Sequence, residues 1–260
     1  MTSKLTYLFC SGGYDSVFRL CQLVLVEKKE TQPILVSQKI DARSSATRRM
    51  ERQVLNHICQ QIRDTYPKAK KLLKRPIIID KRVQITNDPE LMRVAAEIGY
   101  GNRGSKRNPK EKIGTQYVHL ARVAKHFPKP PIEIGIEVGG RAERFFKNDL
   151  VDVGKPTCRL KPISQLTDPK MDIFRNFRFP IFHLTKEEMK KYAETHEFTN
   201  ILDMTVSCWY PKNNRACGRC PMCRRRVATQ KIWQKLSPAP KNESRGIQRN
   251  KARRRLKKKR

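Results

Sequence analysis

Two short stretches hold residues whose types and spacing could do chemistry. The first is Ser11-Gly12-Gly13-Tyr14-Asp15-Ser16, set between a β-rich run, Lys4–Cys10, and an apolar run over Asp15–Val26. In a strand–loop–helix unit the helix N-terminus offers unpaired N–H groups and a partial positive charge to an anion. Gly12 and Gly13 let the backbone come close to a phosphate, and Ser11 and Ser16 can donate hydroxyl hydrogen bonds. Asp15 would repel a bare phosphate. It fits either as a cap of the helix or as a ligand for the magnesium that accompanies a nucleotide. The stretch has neither the Gly-Lys-Ser/Thr end of a Walker loop nor the spaced glycines of dinucleotide folds. A purely structural glycine turn has the same composition and is the competing reading.

The second stretch is Ser207–Arg226, SCWYPKNNRACGRCPMCRRR, in which Cys208, Cys217, Cys220 and Cys223 follow C-x8-C-x2-C-x2-C. Two short gaps make a tight knuckle, and the longer loop returns a fourth thiolate to complete a tetrahedron. Four sulfur ligands leave no position for water, which points to structural Zn²⁺. An iron–sulfur cluster also takes four cysteines, and disulfide pairing is the third alternative. Arg215, Arg219, Arg224, Arg225 and Arg226 would offset the thiolate charge. Trp209 and Tyr210 beside the first ligand could stack on a base, but packing against the lobe is the simpler expectation.

The elements that must position these groups alternate. After the first strand and helix, Pro33–Ile40 reads as a strand, and Ala46–Arg63 places Met50, Val54, Ile58 and Ile62 at helical spacing. Pro76–Asp80 is a short apolar strand with further β pattern to Ile85, and Asn87-Asp88-Pro89 starts a helix over Glu90–Ile98. Gly99–Gly114 has four glycines, five basic residues and no periodicity, so it is a basic loop, serving as a lid or simply as solvated surface. Thr115–Phe127 is a helix with Val118, Ala121 and Val123 inward, Pro131–Val138 a strand, and Phe179–His183 a strand running into a capping box at Thr185–Glu188. Arg141–Lys170 gives no clear pattern. The alternation implies an α/β fold, a Rossmann-like parallel sheet with helices on both faces, with a small C-terminal zinc-binding lobe.

Charge narrows the setting. Lys and Arg number 57 against 24 Asp and Glu, a formal net of +33. Ser237–Arg260 contributes eleven basic residues and one acid, so the body without this tail still carries +23. Self-repulsion on that scale favours a polyanionic partner, and nucleic acid is expected to meet the basic body and tail. No run approaches the roughly 20 apolar residues of a spanning helix, so no membrane partner is expected. The first residues lack a secretory pattern, which suggests a cytoplasmic, reducing compartment where crowded cysteines hold metal. Isolated Cys10 and Cys21 are expected to fill core space, and the five scattered histidines show no ligand spacing.

The sequence SGGYDS resembles the SGGxDS signature of PP-loop ATP pyrophosphatases, which cleave ATP between its α- and β-phosphates. Combined with the cysteine spacing, it resembles the 7-cyano-7-deazaguanine synthase family of queuosine biosynthesis. FRFPIFHLTKEEMKKYAETHEFTNILDMTVSCW is similar to the family's stretch leading to the first ligand cysteine, and IEIGIEV to its "IxIG" strand. The resemblance implies an ATP-binding α/β domain over 1–205 and a four-cysteine zinc lobe with a closing helix over 206–234, and composition adds a disordered basic tail over 237–260. It implies ATP, Mg²⁺ and Zn²⁺ as cofactors, a small deazapurine and ammonia as reactants, and is compatible with a homodimer. Ser11, Asp15 and Ser16 would act in catalysis, and Ser11, Gly12, Gly13, Asp15, Ser16 and Lys186 would hold the nucleotide. A carboxylate on 7-deazaguanine would become a nitrile at the expense of two ATP.

Two departures bear on the substrate. Where members carry an Asp/Ser/Tyr-Pro-Asp-Cys-Arg segment after the "IxIG" strand, this sequence reads EVGGRAERFFKNDL, and their "P-x-R-N" stretch is replaced by NPKEKIGTQYVH. Nucleotide use therefore carries over further than substrate identity. Two other functions remain in view: a PP-loop enzyme that modifies a base within tRNA or DNA, and a non-catalytic basic protein binding nucleic acid on the same scaffold.

Overall fold

Alternation along the first strand decides how the sheet is covered. In β1 (Thr6–Phe9), Phe9 enters one apolar cluster while Leu8 and the following Cys10 enter another, and in β2 (Thr31–Val36) Ile34 and Val36 separate from Leu35 in the same way. Successive strand side chains point to opposite faces, so both faces of the sheet are buried. The computed structural model describes residues 5–37, 45–80, 88–98, 115–128, 131–154, 157–208, 210–212, 215–220 and 223–224. The expected β pattern through Ile85, the basic loop 99–114, Trp209 and the tail 237–260 lie outside them.

Between β1 and β2 run α1 (Tyr14–Cys21) and a π-helical turn over Gln22–Val26, closed by Glu27 N–H donating to the Gln22 carbonyl at 2.9 Å. Then come α2 (Ser45–Thr65), α3 (Ala69–Leu72), β3 (Ile77–Ile79), α4 (Pro89–Glu97), α5 (Thr115–His126) and β4 (Ile132–Ile134). The chain continues through α6 (Arg141–Phe146), β5 (Leu150–Asp152), β6 (Cys158–Leu160), 3-10 turns at Ile163–Gln165 and Pro169–Phe174, β7 (Phe177–Arg178), α7 (Lys186–Thr195) and α8 (Thr199–Asp203). The main sheet has the order β3-β2-β1-β4-β7 with every pair parallel, and β5 and β6 form a separate antiparallel ribbon. This is the expected Rossmann-like α/β fold. The strand order reverses between β1 and β4, and ligands of such sheets bind beyond the carboxyl ends of the strands at that reversal.

One face is covered by α1, α2, α7 and α8, through Val17, Leu20, Val54, Ile58, Met189 and Ile201. On the other, α5 and the segment after β4 pack aromatic edges together: Phe146 sits 5.1 Å from Phe174 and 5.0 Å from Phe179. One charge is buried between α1 and β4. Arg19 is 1% exposed and donates to Glu133 at 2.7 and 3.0 Å, to Gln22 at 2.6 Å, and to Glu27. Burial works against its charge, but Glu133 and Glu27 outweigh that and hold the guanidinium above its ordinary value. Breaking such a buried set from one side costs about 3–5 kcal/mol, so Arg19 locks the helix behind the glycine loop to the sheet.

Several elements differ from the sequence reading for local reasons. The strand expected at Phe179–His183 is β7 at Phe177–Arg178 instead. Phe179 adds one antiparallel bridge to Cys158, and Pro180, with no N–H to offer a ladder, turns the chain away. The strand expected over Pro131–Val138 stops at Ile134. Asp88 caps α4 as expected, accepting from Leu91 N–H at 2.9 Å. No described helix is long and apolar enough to cross a membrane.

Candidate functional site

The glycine loop leaves β1 and turns sharply into α1. Gly12 has φ +79°, where side chains are strained, and a Cβ there would lie 2.9 Å from Val54 Cγ1. Gly13 is the N-cap of α1 and has no side chain to cover the helix end. Ser11 Oγ accepts from Gly13 N–H at 3.4 Å, and Ser16 Oγ donates to the Gly13 carbonyl at 3.0 Å. Ser16 thus closes the first turn, while Ser11 stands at the loop's entrance. Burial pushes the Cys10 thiol up to about 11, against opposing bonds from Gly12 and Ser16, and leaves it an inert core group as expected.

Asp15 does not cap its helix, the first of the two roles considered for it. Its carboxylate pairs with Lys186, whose ammonium also lies 3.3 Å from Glu137 Oε1 and 5.2 Å from the centre of the Tyr14 ring. A capping box fixes this lysine as the first residue of α7: Thr185 Oγ1 accepts from Glu188 N–H at 3.2 Å, and the Glu188 carboxylate accepts from Thr185 N–H at 2.8 Å. The segment before the box is tied to the β4 side by Val138 N–H donating to the Leu184 carbonyl at 3.1 Å. Burial raises the Glu137 carboxyl above its usual range. Lys186 therefore bridges two carboxylates at the loop's mouth.

Two further backbone contacts shape the loop. At Gly135, directly after β4, a Cβ would lie 3.1 Å from Asp15 C and Ser16 N, so a side chain there would press these backbones apart by a few tenths of an ångström. Val206 N–H donates to the Gly12 carbonyl at 3.2 Å, which holds the approach to the cysteine cluster against the loop. Between the ends of β1, β2 and β4 opens a cavity of about 110 Å³, lined by Ser11, Ser16 and Gly135 and by apolar Phe9, Ile34 and Leu120. An apolar cavity of about 150 Å³ accepts a benzene ring, so this one is smaller than a purine or a whole nucleotide requires.

The four cysteines of the C-terminal motif converge. Their Sγ atoms lie within 4.8 Å of one another; Cys217 and Cys223 are 3.8 Å apart and Cys220 and Cys223 3.4 Å. Bonds of about 2.3 Å in a tetrahedron separate sulfurs by roughly 3.8 Å, so the set matches a zinc-sized ion and not a disulfide. The local backbone supports thiolates: N–H groups of Cys217, Cys220 and Cys223 donate to the sulfurs of Cys208, Cys217 and Cys220 at 3.2, 3.3 and 3.4 Å. Burial opposes charge on Cys217, but the N–H groups of Arg219 and Cys220 prevail and bring its thiol down to about 6. Lys212 and Arg215 exchange backbone hydrogen bonds of 3.0 and 2.9 Å, which turns the longer loop back. Cys208, Cys220 and Cys223 pack into the same apolar cluster as α1 and α2. Tyr210 is 64% exposed, against the expectation that it packs on the lobe.

Residues 159–234 match the family model described as Queuosine biosynthesis protein QueC. Over that segment the chain is similar to this family. The matched segment begins in β6, includes Lys186, Val206 and all four clustered cysteines, and excludes the glycine loop that two of these residues contact. No curated protein matches the chain.

Sequence reasoning missed Gly135 and Glu137 as parts of the site. The Gly in IEIGIEV was visible, but only the fold shows which backbone it meets. It also missed that Cys158 and His183 come together with Asp152, since their numbers show no ligand spacing.

Proposed function

We propose that the protein is an ATP-dependent carbon–nitrogen ligase that releases AMP and pyrophosphate, acting on a carboxylated 7-deazaguanine and ammonia to form the nitrile. One observation carries this reading. The QueC-like segment folds onto the SGGYDS loop, through Lys186 to Asp15 and through Val206 to Gly12.

The substrate carboxylate attacks the α-phosphorus of ATP and pyrophosphate leaves. Ammonia displaces AMP to give the amide. The amide oxygen is then adenylated by a second ATP and departs with AMP, leaving the nitrile. The chain's part is electrostatic: the amino end of α1, Ser11 and Lys186 stand where charge gathers on the leaving pyrophosphate. Asp15 and Glu137 are hard oxygen donors already sharing one cation, so they suit Mg²⁺, which would neutralise phosphate charge when bound with the nucleotide. Lys186, held at the loop's mouth by the capping box, would itself face phosphate charge. The four cysteines suit Zn²⁺ as a structural ion, with no open position for reaction.

The net charge of +33 favours a second reading, in which the base is modified while part of tRNA or DNA. Mass spectrometry of products separates the two. With ATP, ammonia and free carboxy-deazaguanine, the nitrile and AMP are expected without any polynucleotide. Turnover only in the presence of tRNA or DNA supports the second reading, and salt-sensitive nucleic-acid binding without turnover overturns both.

A further inference from the structure

Three side chains outside the ligase site meet at the rim of the small ribbon. Asp152 and Cys158 are direct partners across the β5–β6 pair. His183 follows β7, and the backbones of Cys158 and Phe179 exchange hydrogen bonds of 3.2 and 3.0 Å that bring its turn alongside. Cys158 Sγ lies 3.1 Å from Asp152 Oδ1 and 3.1 Å from His183 Nε2, and His183 Nε2 lies 2.9 Å from Asp152 Oδ1. The triangle is closed.

Hydrogen bonding alone serves this triangle poorly. A thiol and an imidazole bring one proton each to these three atoms and a carboxylate brings none, so two protons must serve three close contacts. A nucleophilic relay is also excluded by the ring's orientation. It would place the thiol on one imidazole nitrogen and the carboxylate on the other, whereas here both face Nε2. A cation lying over the triangle would satisfy sulfur, nitrogen and oxygen together.

We propose that Asp152, Cys158 and His183 form a second metal site, for a zinc-class divalent transition ion with one coordination position open to solvent. A mixed set of thiolate, imidazole and carboxylate selects zinc-like ions over Mg²⁺ or Ca²⁺, and three protein ligands leave the fourth position for water or a substrate atom. The burial pattern agrees. Cys158 is 2% exposed and anchors the floor, while the side chains of His183 and Asp152 are 60% and 74% exposed and leave an entry path. Zinc bonds of about 2.0–2.3 Å separate ligand atoms by roughly 3.3–3.7 Å. Each side of the triangle then opens by about half an ångström, a shift that rotation of the two exposed side chains supplies. This site does not depend on the ligase reading.

The full chain, purified with the knuckle's zinc in place and titrated with further zinc under equilibrium dialysis, tests it. The wild type is expected to take up one equivalent more than His183→Ala and Asp152→Asn, with melting temperatures before the titration unchanged. With Co²⁺, the extra equivalent adds a thiolate-to-metal band that Cys158→Ser lacks. Cys158 is buried and its variant can fail to fold, so exposed His183 and Asp152 carry the test by themselves. Equal stoichiometry and affinity in wild type and His183→Ala overturns the site, whether or not the protein turns over ATP.

Discussion

The glycine loop and the cysteine knuckle lie at opposite ends of the described chain and share one apolar cluster, but they are shaped differently. The knuckle is self-contained: its sulfurs receive N–H bonds from Cys217, Cys220 and Cys223 themselves, all within the motif that spans Cys208–Cys223. The loop is moulded from a distance. Val54 sets the room at Gly12, Gly135 sets the room at Asp15, and Lys186 and Val206 arrive from the C-terminal segment. The knuckle's geometry is written in its own spacing, whereas the loop's is completed by residues up to about two hundred positions away. Disturbing the knuckle should therefore act first on stability, and disturbing the loop's surroundings first on activity.

Two substitutions can break that contrast. The larger effect is expected from Cys217→Ser. Binding of a structural zinc contributes about 10–16 kcal/mol in small domains, and that energy is folding energy. Losing one ligand should release the metal and remove about 3 kcal/mol or more of stability, which lowers Tm by roughly 6–12 °C. Calorimetry with metal analysis reads both, and a metal-free protein that melts unchanged would contradict the knuckle's role. A smaller change is expected from Gly135→Ala. Its new Cβ meets backbone atoms at 3.1 Å, and backbone cannot swing aside as a side-chain end does. Overpacking of this kind costs about 1–3 kcal/mol. Displacing the loop by a few tenths of an ångström should slow pyrophosphate release by roughly several-fold. Full activity in that variant would mean the loop is as self-contained as the knuckle.

The same contrast explains what the sequence could convey. Alternation in TYLF and TQPILV, the capping box at Thr185 and the cap at Asp88 are local patterns, and the sheet with its two covered faces follows from them. Spacing alone brought the four cysteines together. Lys186 and Asp15 could each be singled out by resemblance, but their pairing and the part played by Glu137 could not, because parallel strands bring together residues that are remote in the chain. Arg141–Lys170 resisted reading for a related reason. Its strands are three residues long, its turns are 3-10, and its aromatic residues pack edge to edge with no simple period. The triangle of Asp152, Cys158 and His183 grows out of that unpatterned stretch and was invisible before the ribbon folded.

The central claim is that the SGGYDS loop holds the pyrophosphate half of a cleaved ATP. Pyrophosphate release with ATP, ammonia and carboxy-deazaguanine, compared between wild type and the double variant Ser11→Ala, Asp15→Ala, tests it most directly. The account predicts release by the wild type and its loss in the variant, with the melting temperature of the variant close to that of the wild type. Undiminished release by the variant would contradict it.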